Sequence, residues 1–290
     1  MAKTLATATT DYTADAVAFC PHGDILACGC YQLSESGATI ADGKRIGHIE
    51  FYATDAAHCA DEPSGEEGAQ LRRVATVGSE GILDCVWSTE RGAHDASILA
   101  AACSDGRARL YSVDIGISKR SASSAPAPME VASLECEGAG VCMTVAWGYN
   151  SAGMGNRLAL SSTAGKLYVL DAAVAGALSS TTKRNYNEIL CSGPDDSVNL
   201  ERFPCATAPS SPVPCAPSHL LQNSHTTKLI YYKTPCLGMA VVSSWEAHSD
   251  SVWTVAFDAA DPHTLYSGGD DAAFKRWDLR QASDGGPAGK

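Results

Sequence analysis

Residues 245–280 read WEAHSDSVWTVAFDAADPHTLYSGGDDAAFKRWDLR. This stretch holds an Ala-His pair, a run in which apolar and polar residues alternate, a Ser-Gly-Gly-Asp-Asp turn and a closing Trp-Asp pair. Alternation that is rich in β-branched and aromatic residues indicates strands, and Gly and Asp clusters indicate the turns between them. The pattern is typical of one blade of a β-propeller, a four-stranded sheet that is repeated around a central axis.

Four polar residues of this stretch have the spacing of a buried network. We expect His248 to hydrogen-bond Asp271, with Ser267 and the indole N–H of Trp277 completing the chain. A buried imidazole and a buried indole N–H need partners. Asp271 lies six residues before Trp277, in a turn where its side chain also reaches backbone groups. The four residues are therefore predicted to be structural, as in a WD-type repeat.

A related unit occurs four times along the chain. Each unit has a short apolar strand that we expect to lie innermost, and these strands end at Val17-Ala18-Phe19, Cys85-Val86-Trp87, Val145-Ala146-Trp147 and Val255-Ala256-Phe257. The chain is therefore predicted to be an all-β WD-repeat β-propeller, with blades near residues 11–77, 78–136, 137–245 and 246–280. Because four blades are the low end for a closed ring, we expect them to be an incomplete part of a ring of about seven.

Three segments fall outside this pattern. Thr4–Thr10 is rich in threonine, and we expect it to complete the last blade and so cover an open edge. Residues 173–231, rich in Pro, Ser and Cys, are predicted to be a disordered insertion in the third blade, because proline lacks the N–H that a ladder needs. A linker between two domains is the alternative interpretation. Residues 281–290 are predicted to be a polar tail.

Composition limits the possible classes of function. The 290 residues carry a formal net charge of −12, which argues against direct nucleic-acid binding. The N-terminus lacks the apolar core of a signal peptide and no run approaches membrane-spanning length, so we expect a cytoplasmic protein without a membrane partner. Several of the twelve cysteines lie in apolar strands, as buried thiols do. Cys28 and Cys30 are too close for a usual zinc knuckle, so neither a metal site nor a cofactor is predicted.

Several short strings are more specific than the repeat pattern. They are Thr13-Ala14-Asp15-Ala16-Val17, Leu26-Ala27-Cys28-Gly29-Cys30-Tyr31-Gln32-Leu33, Ile82-Leu83-Asp84, Ser244-Trp245-Glu246-Ala247-His248, Tyr266-Ser267-Gly268-Gly269-Asp270-Asp271 and Trp277-Asp278-Leu279-Arg280. In these strings the chain resembles the diphthine methyltransferase family. The resemblance implies a carboxylic ester hydrolase, which removes the methyl ester from methylated diphthine, a modified histidine on translation elongation factor 2. The product, diphthine, is then ready for the last amidation step of diphthamide biosynthesis.

Ester hydrolysis needs a nucleophile or an activated water, a base, and donors for the oxyanion. The sequence shows no G-x-S-x-G elbow that would supply a nucleophilic serine. Asp270 is the first catalytic candidate, because it can hold a water as general base or attract a quaternary ammonium group. A solvated turn residue is the alternative interpretation of Asp270. His248 is the second candidate, although its predicted place in the polar network is structural.

Three further residues are candidates for substrate binding. Tyr31 and Gln32 follow the second strand of the first unit, where they can offer a ring and an amide to the substrate; a packing tyrosine is the alternative. Asp84 belongs to an innermost strand, where it either lines the central channel or caps a neighbouring strand. Trp253 shares the alternating face of Val255 and is expected in the core.

Two functions remain open on the sequence alone. The first is the methyl-ester hydrolase that the resemblance implies, with elongation factor 2 as partner. The second is a non-catalytic WD-repeat adaptor that holds protein partners on its rim, since fold alone does not imply catalysis. The residues show no complete catalytic constellation, whereas the strings around Tyr31 and Asp270 favour the hydrolase.

Overall fold

In the computed structural model of the chain, the described residues are 4, 6–34, 45–54, 69–92, 96–118, 127–148, 156–173 and 238–281. The chain divides into two compact units, Met1–Ala177 with Cys236–Lys290 and Leu178–Pro235, and every described residue belongs to the first. The described residues form strands and two short 3-10 helices, Ile115–Ser118 and Leu279–Gln281, and contain no α-helix. None of their helices has the length and apolar character needed to cross a lipid bilayer.

The strands build four antiparallel sheets and one short parallel pair. In chain order they are β1 (Ala6–Thr7), β2 (Thr13–Phe19), β3 (Ile25–Leu33), β4 (Arg45–Ala53), β5 (Ala69–Gln70), β6 (Arg72–Glu80), β7 (Ile82–Arg91), β8 (Ser97–Cys103), β9 (Arg107–Val113), β10 (Met129–Glu135), β11 (Cys142–Trp147), β12 (Arg157–Ser162), β13 (Lys166–Ala173), β14 (Gly238–Glu246), β15 (Val252–Phe257), β16 (Thr264–Gly269) and β17 (Phe274–Asp278). The first sheet is β2-β3-β4-β6, the second β7-β8-β9-β10, the third β11-β12-β13-β14 and the fourth β15-β16-β17.

The four sheets are arranged side by side around their first strands. Strand β7 packs against β2 and β11, and β11 packs in turn against β15. Two indoles tie these strands together: Trp87 donates from Nε1 to the carbonyl oxygen of Ala18 (2.9 Å), and Trp147 donates to that of Val86 (3.1 Å). Ala18 and Val86 are equivalent positions of successive sheets, so the same bond is repeated at two junctions. The prediction of an all-β propeller architecture is confirmed.

Apolar side chains fill the spaces between neighbouring sheets. Strand β8 is buried at every position, because it has a neighbouring sheet on each face. Phe51 meets Trp87 edge-on between the first and second sheets, with 6.2 Å between ring centroids. Trp245 and Trp277 meet in the same way between the third and fourth sheets, at 5.5 Å. Each such ring contributes about 1.5–3 kcal/mol by burial, so the junctions between sheets are where the fold is stabilised.

Two sequence predictions of local structure are wrong. Trp253 is 55% exposed, whereas Val252 and Val255 are buried. The register of β15 on β16 shifts between Val252 and Thr254, and this β-bulge moves the alternation of faces by one residue. The segment Thr4–Thr10 does not complete the fourth sheet: its strand β1 pairs in parallel with β5, which directly precedes the outer strand of the first sheet.

The predicted insertion and tail lie almost entirely outside the described residues. Strands β13 and β14 are neighbours, and Ala173 pairs with Gly238. Residues 174–237 connect these two strands and are not described. Only residue 173 of the insertion at 173–231 and residue 281 of the tail at 281–290 are described, so both assignments stay predictions.

Candidate functional site

A chain of hydrogen bonds runs through the fourth sheet, from β17 across β16 to the turn that follows it. Trp277 donates from Nε1 to Ser267 Oγ at 2.8 Å, Ser267 Oγ lies 2.8 Å from His248 Nε2, and His248 Nδ1 lies 2.7 Å from Asp271 Oδ1. Ser267, His248 and the indole of Trp277 are buried. We refer to these four residues as the relay.

The relay has one direction. A carboxylate only accepts, so His248 Nδ1 carries the proton that is donated to Asp271. With the ring proton on Nδ1, Nε2 accepts from the Ser267 hydroxyl, whose oxygen accepts from Trp277. The hydrogen bond from His248 lowers the pKa of Asp271 from 3.8 to about 2, with further help from the backbone N–H groups of Ala273 and Ser249. Each polar group of the relay is thereby satisfied within the fourth sheet.

Gly269 allows the end of β16 to pack closely against the segment before β15, which carries His248 and Ser251. A Cβ atom at this position would lie 2.8 Å from the carbonyl oxygen of Ser251 and 3.0 Å from His248 Nδ1. Both distances are shorter than carbon makes without displacing its neighbours. The second glycine of the Ser-Gly-Gly-Asp-Asp turn is therefore required by the packing of the imidazole ring.

The two catalytic candidates of the fourth sheet differ in how free they are. His248 has both ring nitrogens engaged in the relay and is buried. Asp270 is exposed, and its backbone N–H donates to the carbonyl oxygen of Ser251 at 2.9 Å. Its carboxylate has no hydrogen bond or ion pair with any residue in the described ranges. Asp270 is thus available to solvent and ligands, whereas His248 would have to break the relay in order to move a proton.

Tyr31 and Asp270 occupy equivalent positions in the first and fourth sheets. Tyr31 lies three residues beyond Cys28, the partner of Val17, and Asp270 lies three residues beyond Ser267, the partner of Val255. Tyr31 is half-buried and Gln32 is exposed. Tyr31 and Gln32 lie within β3, which continues to Leu33, and do not follow the second strand as the sequence predicted; Asp270 directly follows β16. By register, Tyr31 and Asp270 lie toward the same end of the second strand of their sheets.

Asp84 bridges two neighbouring sheets. Its Oδ2 accepts from the backbone N–H of Val145 in β11 at 3.0 Å, and its Oδ1 accepts from the backbone N–H of Cys85 at 2.8 Å. Burial raises the pKa of Asp84, and the charge of Asp15 adds to that effect, although the two backbone bonds oppose it. Of the two roles that the sequence left open, the observed bonds are those of a cap on the neighbouring strand.

A second buried histidine–carboxylate pair lies in the first sheet, and sequence reasoning missed it. Glu50 of β4 is fully buried, and its Oε1 lies 2.8 Å from His48 Nε2. The hydroxyl of Tyr52 donates to Glu50 Oε2. The guanidinium of Arg73 lies 3.1 Å from Glu50 Oε1. Burial raises the pKa of Glu50, but the bonds from Tyr52 and His48 and the charge of Arg73 outweigh it, so the net pKa is lowered.

Two cysteine thiols complete this cluster from the neighbouring strand. Cys28 lies opposite Glu50 and Cys30 lies opposite His48 in the register of β3 and β4. The sequence does contain a signal, a C-x-C on one strand and an H-x-E on the next. Its weakness is that the pairing of the two strands, and therefore the meeting of the two strings, is visible only in the structure.

The fourth sheet corresponds to a known sequence family. The family described as "WD domain, G-beta repeat" matches residues 239–278. The chain contains a WD repeat. The matched residues begin in β14, the outer strand of the third sheet, and end in β17. The WD repeat is therefore offset from the sheets by one strand, and it joins the third sheet to the fourth.

Two proteins with similar sequence carry a functional name. A stretch of 39 residues is 46% identical to human diphthine methyltransferase, covering 13% of this chain and 9% of the human protein. A stretch of 37 residues is 49% identical to the diphthine methyltransferase homolog of Dictyostelium discoideum, covering 13% of this chain and 10% of that protein. The chain therefore matches about one tenth of the length of each of these relatives.

A solved structure with the same fold is the Chaetomium thermophilum protein Sqt1. The alignment covers 96% of this chain and 48% of Sqt1, with a TM-score of 0.53 and 13% sequence identity. At this identity the similarity concerns the fold alone. The chain spans about half the length of Sqt1.

The second and third sheets keep the strand pattern of the WD repeat without its relay. In the second sheet Asp105 occupies the position of Asp271, and it binds the guanidinium of Arg109, with 2.9 Å between Nη1 and Oδ1. In the third sheet Ala164 occupies that position, and Leu170 replaces the indole. Among the described residues of the second, third and fourth sheets, the relay is therefore found in the fourth, which carries the WD repeat.

Proposed function

We propose that this protein is a methyl-ester hydrolase that acts on methylated diphthine of translation elongation factor 2. The observation that carries the proposal is the local identity of 46–49% to two diphthine methyltransferases, from organisms as distant as human and Dictyostelium discoideum. The short strings that contain Tyr31 and Asp270 support it, because they are more specific than a propeller needs. The hydrolase works in the cytoplasm without a cofactor.

The exposed edge of the array supplies the chemistry in this proposal. Asp270 has a carboxylate free of partners in the described part of the chain, and it acts as the general base that takes a proton from the attacking water. Its charge also attracts the quaternary ammonium group of methylated diphthine. The ring of Tyr31, toward the same end of its strand, contacts the substrate. Gln32 is the next residue of β3 and points to the opposite face of the sheet, so it is not assigned to this contact. The net charge of −12 favours a cationic group over a nucleic acid.

Mass spectrometry of elongation factor 2 tests this function in cells. Cells that lack the protein are expected to accumulate the methyl-esterified form of the modified histidine, and re-expression of the full chain is expected to restore diphthamide. Re-expression of Asp271→Asn, which alters the relay but not the exposed edge, serves as a control for folding. Normal diphthamide in cells without the protein would reject the hydrolase.

The role of Asp270 is tested with a matched pair of variants. Asp270→Asn is expected to abolish ester release from the purified substrate, because an amide is not a general base, while the melting temperature stays unchanged. Asp250→Asn removes an exposed carboxylate from the neighbouring turn and is expected to keep full activity. Full activity in Asp270→Asn, or equal losses in both variants, would remove Asp270 from the site.

A protein-binding adaptor is the second candidate function. It is favoured by five large apolar side chains of the described residues that are each more than half exposed: Val17 and Phe19 in the first sheet, Met129 in the second, and Trp253 and Phe274 in the fourth. Exposed apolar groups of this size are typical of surfaces that bind other proteins. If elongation factor 2 is modified normally in cells without this protein, the adaptor becomes the favoured function.

A further inference from the structure

The first sheet carries four side chains with metal-binding chemistry on one face. Cys28 and Cys30 alternate on β3, and Glu50 and His48 lie directly opposite them on β4. Residues two apart on a strand point to the same side, and opposite residues of paired strands are neighbours. Thiolate, imidazole and carboxylate are the side chains that bind zinc in proteins. All four residues are buried.

The distances bring three of the four ligand atoms around one point, with the fourth beside them. The ligand atoms of Cys30, His48 and Glu50 all lie within 4.8 Å of one another, and Cys28 adjoins this group through Cys30. The Sγ atoms of Cys28 and Cys30 are 3.9 Å apart. Two thiolates that bind one zinc ion at about 2.3 Å each are separated by about 3.8 Å in a tetrahedron. The two thiols are therefore already spaced as ligands of one ion, and far too distant for a disulfide bond of about 2.05 Å.

We propose that Cys28, Cys30, His48 and Glu50 form a binding site for a zinc-like divalent cation. The borderline-soft donor set of two sulfurs, one nitrogen and one oxygen favours zinc over magnesium or calcium, which take oxygen ligands. With four protein ligands the site is closed to substrate, so its role is structural. The ion would join β3 to β4 through their side chains.

The charges of the site balance. Both thiols lose their protons to solvent when the ion binds, and the imidazole moves its proton from Nε2 to Nδ1 so that Nε2 can bind the ion. The two thiolates and the carboxylate of Glu50 carry three negative charges. The divalent ion and the guanidinium of Arg73, which lies 3.1 Å from Glu50 Oε1, carry three positive charges. The same guanidinium also lies 3.5 Å from the carboxylate of Asp11, which is 70% exposed and therefore screened by solvent. The hydroxyl of Tyr52 continues to donate to the second oxygen of Glu50 and orients the carboxylate.

The second sheet provides an internal control. Cys103 of β8 is equivalent to Cys30 of β3. Each lies two residues after the residue that pairs with the inner strand, Ala101 in β8 and Cys28 in β3. In that sheet, however, Arg109 lies opposite Ala101, where Glu50 lies opposite Cys28 in the first sheet. A guanidinium repels a cation, and within the described ranges Cys103 belongs to no group of three ligand atoms that could hold an ion.

Metal titration of the full chain tests the site. The protein is purified under reducing conditions, freed of metal with a chelator and titrated with Co2+, and then with Zn2+ as competitor. We expect the visible bands of tetrahedral cobalt with thiolate ligands, and their loss when Zn2+ is added. Absence of the tetrahedral bands would overturn the proposal.

Three variants assign the binding to these residues. Cys30→Ser leaves eleven of the twelve cysteines in place, and both it and His48→Gln are expected to lower the affinity by more than the roughly 10–100-fold that loss of an outer-shell partner costs. Cys103→Ser is expected to bind as the wild type does. Thermal melting in metal-free buffer identifies any variant that does not fold. Unchanged binding by folded Cys30→Ser, or equal losses in Cys30→Ser and Cys103→Ser, would contradict the site.

Discussion

The first and fourth sheets each bury a histidine against a carboxylate, yet the two pairs differ in their surroundings. In the fourth sheet the carboxylate of Asp271 lies in a turn, with its side chain 12% exposed, and Ser267 satisfies the other nitrogen of His248. In the first sheet Glu50 lies in the middle of a strand with no exposure at all, and thiols face the pair from the next strand. In the pair of the fourth sheet, both nitrogens of His248 are already hydrogen-bonded. The pair of the first sheet lies beside two thiols and can therefore contribute ligand atoms to a metal ion.

The comparison shows what position along a strand does to a polar pair. A carboxylate at a turn is partly hydrated and reaches backbone N–H groups, so it needs little else. A carboxylate in mid-strand loses its hydration and must gain several partners. Glu50 accordingly has His48, Tyr52 and Arg73 around it. Burying a charged group in this way costs desolvation free energy, and we therefore expect the group to serve a function.

Ser267→Ala is expected to have the largest effect on stability. The hydroxyl serves both His248 Nε2 and the indole N–H of Trp277, and its removal leaves two buried groups without a partner. At about 1–3 kcal/mol for each group, the free energy of unfolding should fall by about 2–6 kcal/mol. Chemical denaturation followed by tryptophan fluorescence measures this change. The exposed Ser244→Ala serves as control, and equal midpoints for the two variants would contradict a structural relay.

Tyr52→Phe tests the first sheet in the same way, with a smaller effect. It removes one donor to the buried carboxylate of Glu50 and should cost about 1.5–3 kcal/mol, as hydrogen bonds to charged groups do. The matched control is Tyr168→Phe, whose buried hydroxyl donates to the neutral carbonyl oxygen of Glu137 at 2.9 Å. That variant should cost only about 0.5–1.5 kcal/mol. A smaller loss in Tyr52→Phe than in Tyr168→Phe would show that Glu50 does not depend on Tyr52.

Trp277→Phe is expected to have a weaker effect than loss of the serine. The phenyl ring keeps the edge-on contact with Trp245, while Ser267 remains bonded to His248. Only one hydrogen bond is lost, so the free energy of unfolding should fall by about 0.5–1.5 kcal/mol before any change in packing. Denaturation of Trp277→Phe and Ser267→Ala side by side measures the order of the two. A larger loss in Trp277→Phe would mean that packing, rather than the relay, holds the fourth sheet together.

The pH dependence of stability should show the smallest effect, because solvent screens Asp271. Its pKa is lowered from 3.8 to about 2, so its contribution to stability is present above about pH 4 and is lost as the pH falls toward about 2. Unfolding of the wild type and of Asp271→Asn between pH 5 and pH 2 measures this contribution. The difference in stability between the two should shrink as the pH falls. A constant difference would separate Asp271 from the acid sensitivity of the protein.

The fold was readable from the sequence because it repeats. Four inner strands with similar endings predicted four sheets. In the structure, three of these strands end at the predicted residues, Phe19, Trp147 and Phe257. Local departures from the repeat were not readable. The β-bulge before Thr254 exposes Trp253, and no residue type announces a bulge at that position.

The candidate sites were readable to different degrees, for a physical reason. The members of the relay are spaced within one repeat, so their spacing implies their contact. The members of the cluster around Glu50 come from two strands joined by a long connection, so Cys30 and His48 lie far apart in a sequence that gives no register. Pairing of β3 with β4 is what brings them together.

X-ray absorption at the zinc edge of the metal-loaded full chain tests the central contrast most directly, because it counts the ligands of the ion. The account predicts two sulfur ligands at about 2.3 Å and two nitrogen or oxygen ligands at about 2.0–2.2 Å, with both sulfurs assigned to the first sheet by the loss of one in Cys30→Ser. Four sulfur ligands, or none, would place the metal elsewhere. The pair of His48 and Glu50 would then bind no metal ion, like the pair of His248 and Asp271, and the contrast between the two sheets would be contradicted.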